Sequence, residues 1–158
     1  MLGFLLVGAL SNMAITQQKF REIVFQILFS RDFSSLEDEE MISFMMDHLS
    51  VTKKVMREAV EKGNAVIIHL PKIDEKIRQF SLSYDFDRIA KVEKSVLRLA
   101  IYEMCYEGVL PAKVVIAEGI RLTRKFSIGE SSAFVNAVLD AILQSEGANV
   151  CFASISEQ

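Results

Sequence analysis

The chain has 158 residues, is 51% hydrophobic and carries a formal net charge of −3. That length fits one domain, the apolar share excludes a disordered chain, and the charge excludes a wholesale polycation while leaving local basic patches open. Two prolines and seven glycines are too few for many short strands and turns, and favour long helices.

Residues 1–12, "MLGFLLVGALSN", form an apolar run with no Lys or Arg before it. It falls short of the ~20 apolar residues of a membrane span and lacks the positive start of a signal peptide. The expectation is a non-native-like or disordered extension ahead of a start at Met13, with a weak targeting signal as the alternative. "KFREIVFQILFS" then places Phe20, Ile23, Val24, Ile27 and Leu28 on one face, which predicts a helix over 16–31. Its second face carries Phe25 and Phe29 with Gln18 and Arg21. Aromatics interleaved with amides and a cation suit single-stranded RNA, because every base offers a π-face and every phosphate a charge. Equally, the two phenylalanines can pack beneath another helix.

Ser35 with Asp38 resembles a capping box ahead of a helix through "EEMISFMMDHLS". A further helix is expected over 52–69. Pro71 closes it and opens the next, "KIDEKIRQFSLS". A long helix is expected from 87 to 107, ending at Gly108. It is apolar over most of its circumference, as befits a central helix. Its remaining stripe holds Arg88, Lys91, Ser95, Arg98, Tyr102 and Tyr106, which reads either as a solvated face or as a docking strip. Pro111 begins a helix ending near Phe126, and Ser127 with Glu130 forms a second possible capping box. In the last helix Val135, Val138, Leu139 and Ile142 make the core stripe. Phe134 stands off that stripe, so it either packs on a neighbour or offers a ring for stacking. Asn136 and Asp140 share the other flank, where an Asn more often fixes a loop than serves a site.

The reading is an all-α compact bundle of about seven helices, without repeats or linkers. Chemistry-bearing motifs are missing. "EKGNAV" and "SIGESS" lack the glycines and lysine of a phosphate loop, and there is no GxSxG elbow and no ExxH pair. His48 and His69 have no matching ligand spacing and read as surface or helix-end residues. Cys105 and Cys151 form neither a CxxC nor a disulfide framework, which fits a reducing cytosol. The expectation is no enzyme, no metal and no cofactor.

"REIVFQILF", "VEKSVLRLAIYEM", "PAKVVIAEGIRLTRKF" and "SSAFVNAVLDAIL", in this order and spacing, resemble the NusB family of bacterial transcription antitermination factors over residues 17 to 145. The resemblance implies two helical subdomains packed side by side over residues 13–147, with a flexible tail at 148–158. It implies a non-catalytic, cytoplasmic protein with no membrane association. Such a protein binds boxA-like single-stranded RNA of nascent ribosomal RNA transcripts together with ribosomal protein NusE, and reaches other Nus factors and RNA polymerase indirectly. Carried over by position, RNA contact falls on Gln18, Lys19, Arg21, Phe29 and Phe134, and partner contact on Glu93, Arg98, Tyr102 and Glu103. Three departures stand out. The family's Arg-rich early segment is reduced to Lys19 and Arg21 within "QQKFRE", Ala117 replaces a common Asn, and Ala133 stands where a basic residue is frequent. The first and third weaken electrostatic RNA binding. The competing expectation is a helical protein-interaction module, or an accessory domain in ribosomal RNA maturation, with little RNA affinity of its own.

Overall fold

The computed structural model describes residues 15–82 and 84–146; the expectations for 1–12 and for 148–158 lie outside them. Thr16 caps α1 (Gln17–Arg31), its hydroxyl accepting the Lys19 backbone N–H at 3.0 Å. α2 (Asp38–Leu49) starts from a capping box, but at Glu37 with Glu40 rather than at Ser35 with Asp38. Asp38, Glu39 and Glu40 then occupy the first turn, where carboxylates complement the helix dipole. Thr52 caps α3 (Lys53–Ile68), and His69 links it to α4 (Leu70–Phe80), with Pro71 in the first turn as expected.

The helix expected over 87–107 is interrupted at its start. A 3₁₀ turn at Phe86–Arg88 is followed by extended backbone at Ile89 and Ala90, and α5 begins only at Lys91. The extended step lets the Ile89 side chain turn into the core. α5 (Lys91–Tyr102) runs on into a π-helical turn, Glu103–Glu107, closed by the Gly108 N–H on the Glu103 carbonyl at 3.0 Å. Gly108 has φ 65°, a left-handed position that suits a residue without a Cβ. α6 (Ala112–Phe126) and α7 (Ser131–Glu146) complete the seven α-helices of the described residues. Ser127 does not cap α7. It ends α6, with its backbone N–H on the Thr123 carbonyl, and its hydroxyl is used elsewhere.

α1 and α2 pack on α3, while α5, α6 and α7 pack on one another; α1 and α4 join the two groups through α5. One apolar core runs through both, with Ile23, Ile27, Ile73, Ile77, Ile101 and Leu139 without solvent exposure. Each such side chain stabilises the fold by roughly 1.5–3 kcal/mol relative to exposure. α6 and α7 approach closely at Gly119, where a Cβ would stand 3.2 Å from a Leu139 methyl. α4 is tied to α7 by the Lys76–Glu146 ion pair.

Candidate nucleic-acid and partner interface

The second face of α1 meets α6 through side chains. Gln18 Nε2 donates to Glu118 Oε1 at 3.3 Å, and the Arg121 guanidinium donates to the Gln18 carbonyl at 3.3 Å. One turn on, Glu22 accepts from Arg121 at 2.6 Å and Lys125 at 2.9 Å. A further turn on, the Phe25 ring meets Phe126 at 4.8 Å between centroids. The aromatic line continues outward from Phe25 to Phe29 at 6.1 Å and from Phe29 edge-on to Phe33 at 4.9 Å. It ends at the surface, where Phe33 is 61% exposed and the Lys91 ammonium sits 4.0 Å from its ring centre. Phe25 is therefore core, and half-buried Phe29 is an intermediate member of a row whose exposed end is Phe33.

Arg21 does not project from this seam. Its side chain is 6% exposed and that of Glu103 2%, and the two share a forked pair at 2.9–3.1 Å. Its remaining nitrogen reaches Glu118 at 3.2 Å. Burial favours the neutral guanidine, but the hydrogen bonds and charge of Glu103 and Glu118 outweigh it and raise the pKa of Arg21. Lys62 of α3 completes the cluster on Glu103 at 3.4 Å and Glu107 at 3.2 Å. Lys19 is half-buried, without a carboxylate partner among the described residues.

Phe134 sits on the opposite side of the α6–α7 turn. Its ring meets the Tyr84 ring edge-on, 5.2 Å apart at 82°. The two border a cleft of about 460 Å³ whose wall also includes Arg88, Ala90, Glu93 and Glu130. Glu93, 5% exposed, is fixed by the Ser127 hydroxyl, which donates to its Oε1 at 2.6 Å. Its Oε2 is buried with no hydrogen-bond partner. Burial pushes the Glu93 carboxyl up, but the Ser127 hydrogen bond, with the nearby Ser131 hydroxyl and Glu93's own backbone N–H, prevails and holds it below the usual range. The site thus sets an aromatic ring and the Arg88 side chain at the mouth of a cleft, with the enclosed Glu93 carboxylate in its wall, which suits a flat base or another planar group.

The polar stripe of α5 is split: Arg88 and Lys91 at its start are exposed, and from Ser95 onward it is covered. Ser95 is fully buried with its hydroxyl unpartnered. Arg98 grips Asp74 of α4 at 2.8 and 2.9 Å and Asp32 at the end of α1 at 3.3 Å. Tyr102 and Tyr106 stack with each other at 6.3 Å and against His69 at 5.7 and 4.2 Å. Burial, with the charges of Glu107 and Glu103, pushes the Tyr102 hydroxyl up. Around the nearby Phe86 ring, Arg78 and Lys94 each lie 4.2 Å from its centre.

The fold brings Phe134 and Glu93 into one cleft and Gln18 and Arg21 into one seam. Glu103 joins Arg21 rather than Arg98. Sequence reading missed Tyr84, in a segment between two helices, and placed Arg88 on the α5 stripe rather than in this cleft; the aromatic and charged run "YDFDR" was the available signal. It also passed over Arg121 and Lys125, whose partners on α1 are distant in sequence. His48 is exposed and His69 ends α3, as expected. Asn136 is exposed, whereas Asp140 accepts a hydrogen bond from Gln144 at 2.8 Å. Among the described residues no group of three or more His, Cys, Asp or Glu is arranged to hold a metal ion, and no helix is long and apolar enough to cross a membrane.

Residues 18–144 match the model of the NusB family. The chain is 32% identical over 130 residues to the transcription antitermination protein NusB of Dehalococcoides mccartyi strain CBDB1, covering 82% of this chain and 91% of that one. It is 36% identical over 127 residues to its counterpart in Agathobacter rectalis, covering 79% and 97%. Among solved structures it resembles T. maritima NusB, with TM-score 0.70 and 29% identity over 82% of this chain and 92% of that one. It shares the fold, at 24% identity and TM-score 0.70 over 82% and 96%, with a structure of antitermination factors NusB and NusE in complex with double-stranded RNA. An all-helical bundle with these helices in this order, matched along nearly its whole described length, makes this chain a member of the NusB family.

Proposed function

We infer that this protein is a non-catalytic, cytoplasmic antitermination factor. With ribosomal protein NusE it binds boxA-like RNA of nascent ribosomal RNA transcripts and suppresses premature termination. The observation that carries this is the family match over residues 18–144, joined to a cleft bordered by the Phe134 and Tyr84 rings and Arg88. Phe134 and Phe29 are the stacking candidates and Lys19 the phosphate contact, with Gln18 beside it. Arg21 supports this face from inside. Glu93 stands in the wall of the cleft on the side assigned to NusE, while Arg98, Tyr102 and Glu103 hold the helix that carries it. A second reading, an interaction module with little RNA affinity of its own, is favoured by one fact. Arg21 is spent on Glu103 and Glu118, so only Lys19 of the early segment is free of a carboxylate among the described residues.

The test is a titration of labelled boxA-like RNA, with and without NusE. The chain alone is expected to bind weakly and the pair usefully. Stacking on one aromatic contributes roughly 1–3 kcal/mol, so Phe134→Ala should weaken the ternary complex about 5- to 150-fold, and more than Lys19→Ala does. Tight, steeply salt-dependent binding by the chain alone, or a ternary complex indifferent to Phe134→Ala, would overturn this reading.

A further inference from the structure

We propose that the last turn of α6, through Arg124 and Lys125, is the track on which this protein neutralises RNA phosphates, in place of the early segment of α1. The proposal rests on the RNA-binding reading above. With Arg21 enclosed by Glu103 and Glu118, α1 offers the backbone of a nucleic acid only Lys19. Available positive charge lies across the seam, at the end of α6. Arg124 is exposed, with no carboxylate within ion-pair distance among the described residues. Lys125 has a half-exposed side chain, and its one carboxylate partner, Glu22, is shared. The Glu22 side chain is 7% exposed and keeps the Arg121 hydrogen bond at 2.6 Å if Lys125 leaves. Lys125 can therefore turn to a phosphate without leaving a buried carboxylate unpaired, which is the expensive outcome in such an exchange. Arg121 lacks that freedom, because it also holds Glu118 and the Gln18 carbonyl.

The position joins the two candidate contact regions. Two residues beyond Lys125, Ser127 donates to Glu93 in the wall of the Phe134 cleft. A strand with one base against Phe134 passes the end of α6 on its way to α1. The competing explanation is that Arg124 and Lys125 merely complement the negative end of the α6 dipole. The two explanations differ in what they make salt-dependent.

The experiment uses the full chain with NusE and a labelled single-stranded boxA-like RNA, titrated over a range of KCl concentrations. Each phosphate contact on a single strand contributes about 0.7 to the slope of log affinity against log salt. Arg124→Gln/Lys125→Gln should lower the slope by about 1.4 and Lys19→Gln by about 0.7, with affinity for NusE in the absence of RNA unchanged. An unaltered slope accompanied only by a lower Tm would assign both charges to the helix end and sink the proposal, while the RNA-binding reading survives. Loss of NusE affinity without RNA would make the ridge a protein surface instead. If the wild-type chain with NusE takes up no RNA, the RNA-binding reading falls and the ridge with it.

Discussion

Replacing Arg21 by Met separates a structural from an RNA-contacting role for the one arginine left in the early segment. Met keeps an unbranched apolar stem, so the change removes charge and hydrogen bonds more than volume. Removing one member of a buried ion pair costs roughly 3–5 kcal/mol, because the other is left charged and enclosed. Here Glu103 keeps Lys62 at 3.4 Å, and Glu118 keeps Arg121 at 2.9 Å, so the low end, about 3 kcal/mol, applies. For a chain of this size each kcal/mol moves Tm by about 2–4 °C, which gives a fall of roughly 6–12 °C. Circular dichroism melts of Arg21→Met, Glu103→Gln and the double variant check it. The pair is in direct contact, so the double variant should lose less than the two singles together, with a coupling of about 0.5–3 kcal/mol. RNA affinity in the presence of NusE, measured well below the melting transition, should stay within about twofold of wild type, since no phosphate contact is removed. A melt shifted by less than about 2 °C together with a clear loss of RNA affinity would refute the reasoning, for it would mean that Arg21 leaves Glu103 to meet the RNA.

Two further outcomes follow from the same contacts. Burial pushes the Glu22 carboxyl up, but Lys125 and Arg121 outweigh it and hold the group below its ordinary 4.5. Glu22 therefore stabilises the fold fully above that ordinary value and loses the contribution as pH falls through its lower folded value. Glu22→Gln should lower Tm at neutral pH and flatten the decline of Tm between about pH 5 and 3; parallel Tm profiles for the two proteins would count against it. Arg98→Glu would set a third carboxylate against Asp74 and Asp32 where the arginine is now 11% exposed. It should cost at least roughly 3 kcal/mol and lower Tm sharply, so a melt like that of wild type would show that the arginine is dispensable to the fold.

Helix number and order were legible because apolar spacing is a local signal. Phe20, Ile23, Ile27 and Leu28 announce α1, and Pro71 and Pro111 mark helix starts. The errors fall where a local motif has a near-degenerate neighbour or where a distant residue decides. Ser35-x-x-Asp38 and Glu37-x-x-Glu40 overlap, and the second one caps α2. The α5 start moved to Lys91 because the core draws Ile89 inward, which periodicity alone does not reveal. Ser95 and Arg98 share a polar stripe by spacing, yet both are enclosed, and so is Glu103 on another face. Their surroundings come from α1, α3 and α4, far away in sequence. Phe25 follows the same logic, since only the position of Phe126 makes it core. The cleft was half legible. Phe134 stood off its helix's core stripe and Glu93 lay in a specific motif, while Tyr84 and Arg88 reach the site only because the segment before α5 turns back over α7.

The paired charges also set what this surface can do alone. Arg21, Lys62, Arg121 and Lys125 are matched by Glu22, Glu103, Glu107 and Glu118, so that network presents no net field to a polyanion. What remains near the candidate site is Lys19, Arg88 and Arg124, with Lys125 releasable. If each of the four meets one phosphate, the salt slope is about 3, and affinity falls roughly 50-fold for a fourfold rise in salt. A protein built on a full arginine segment would respond more steeply. The buried network has turned the segment's arginine from a ligand contact into a brace between α1, α5 and α6. The affinity forgone at α1 has to come from a stacked base at Phe134, from the end of α6, and from the surface that NusE adds beside Glu93.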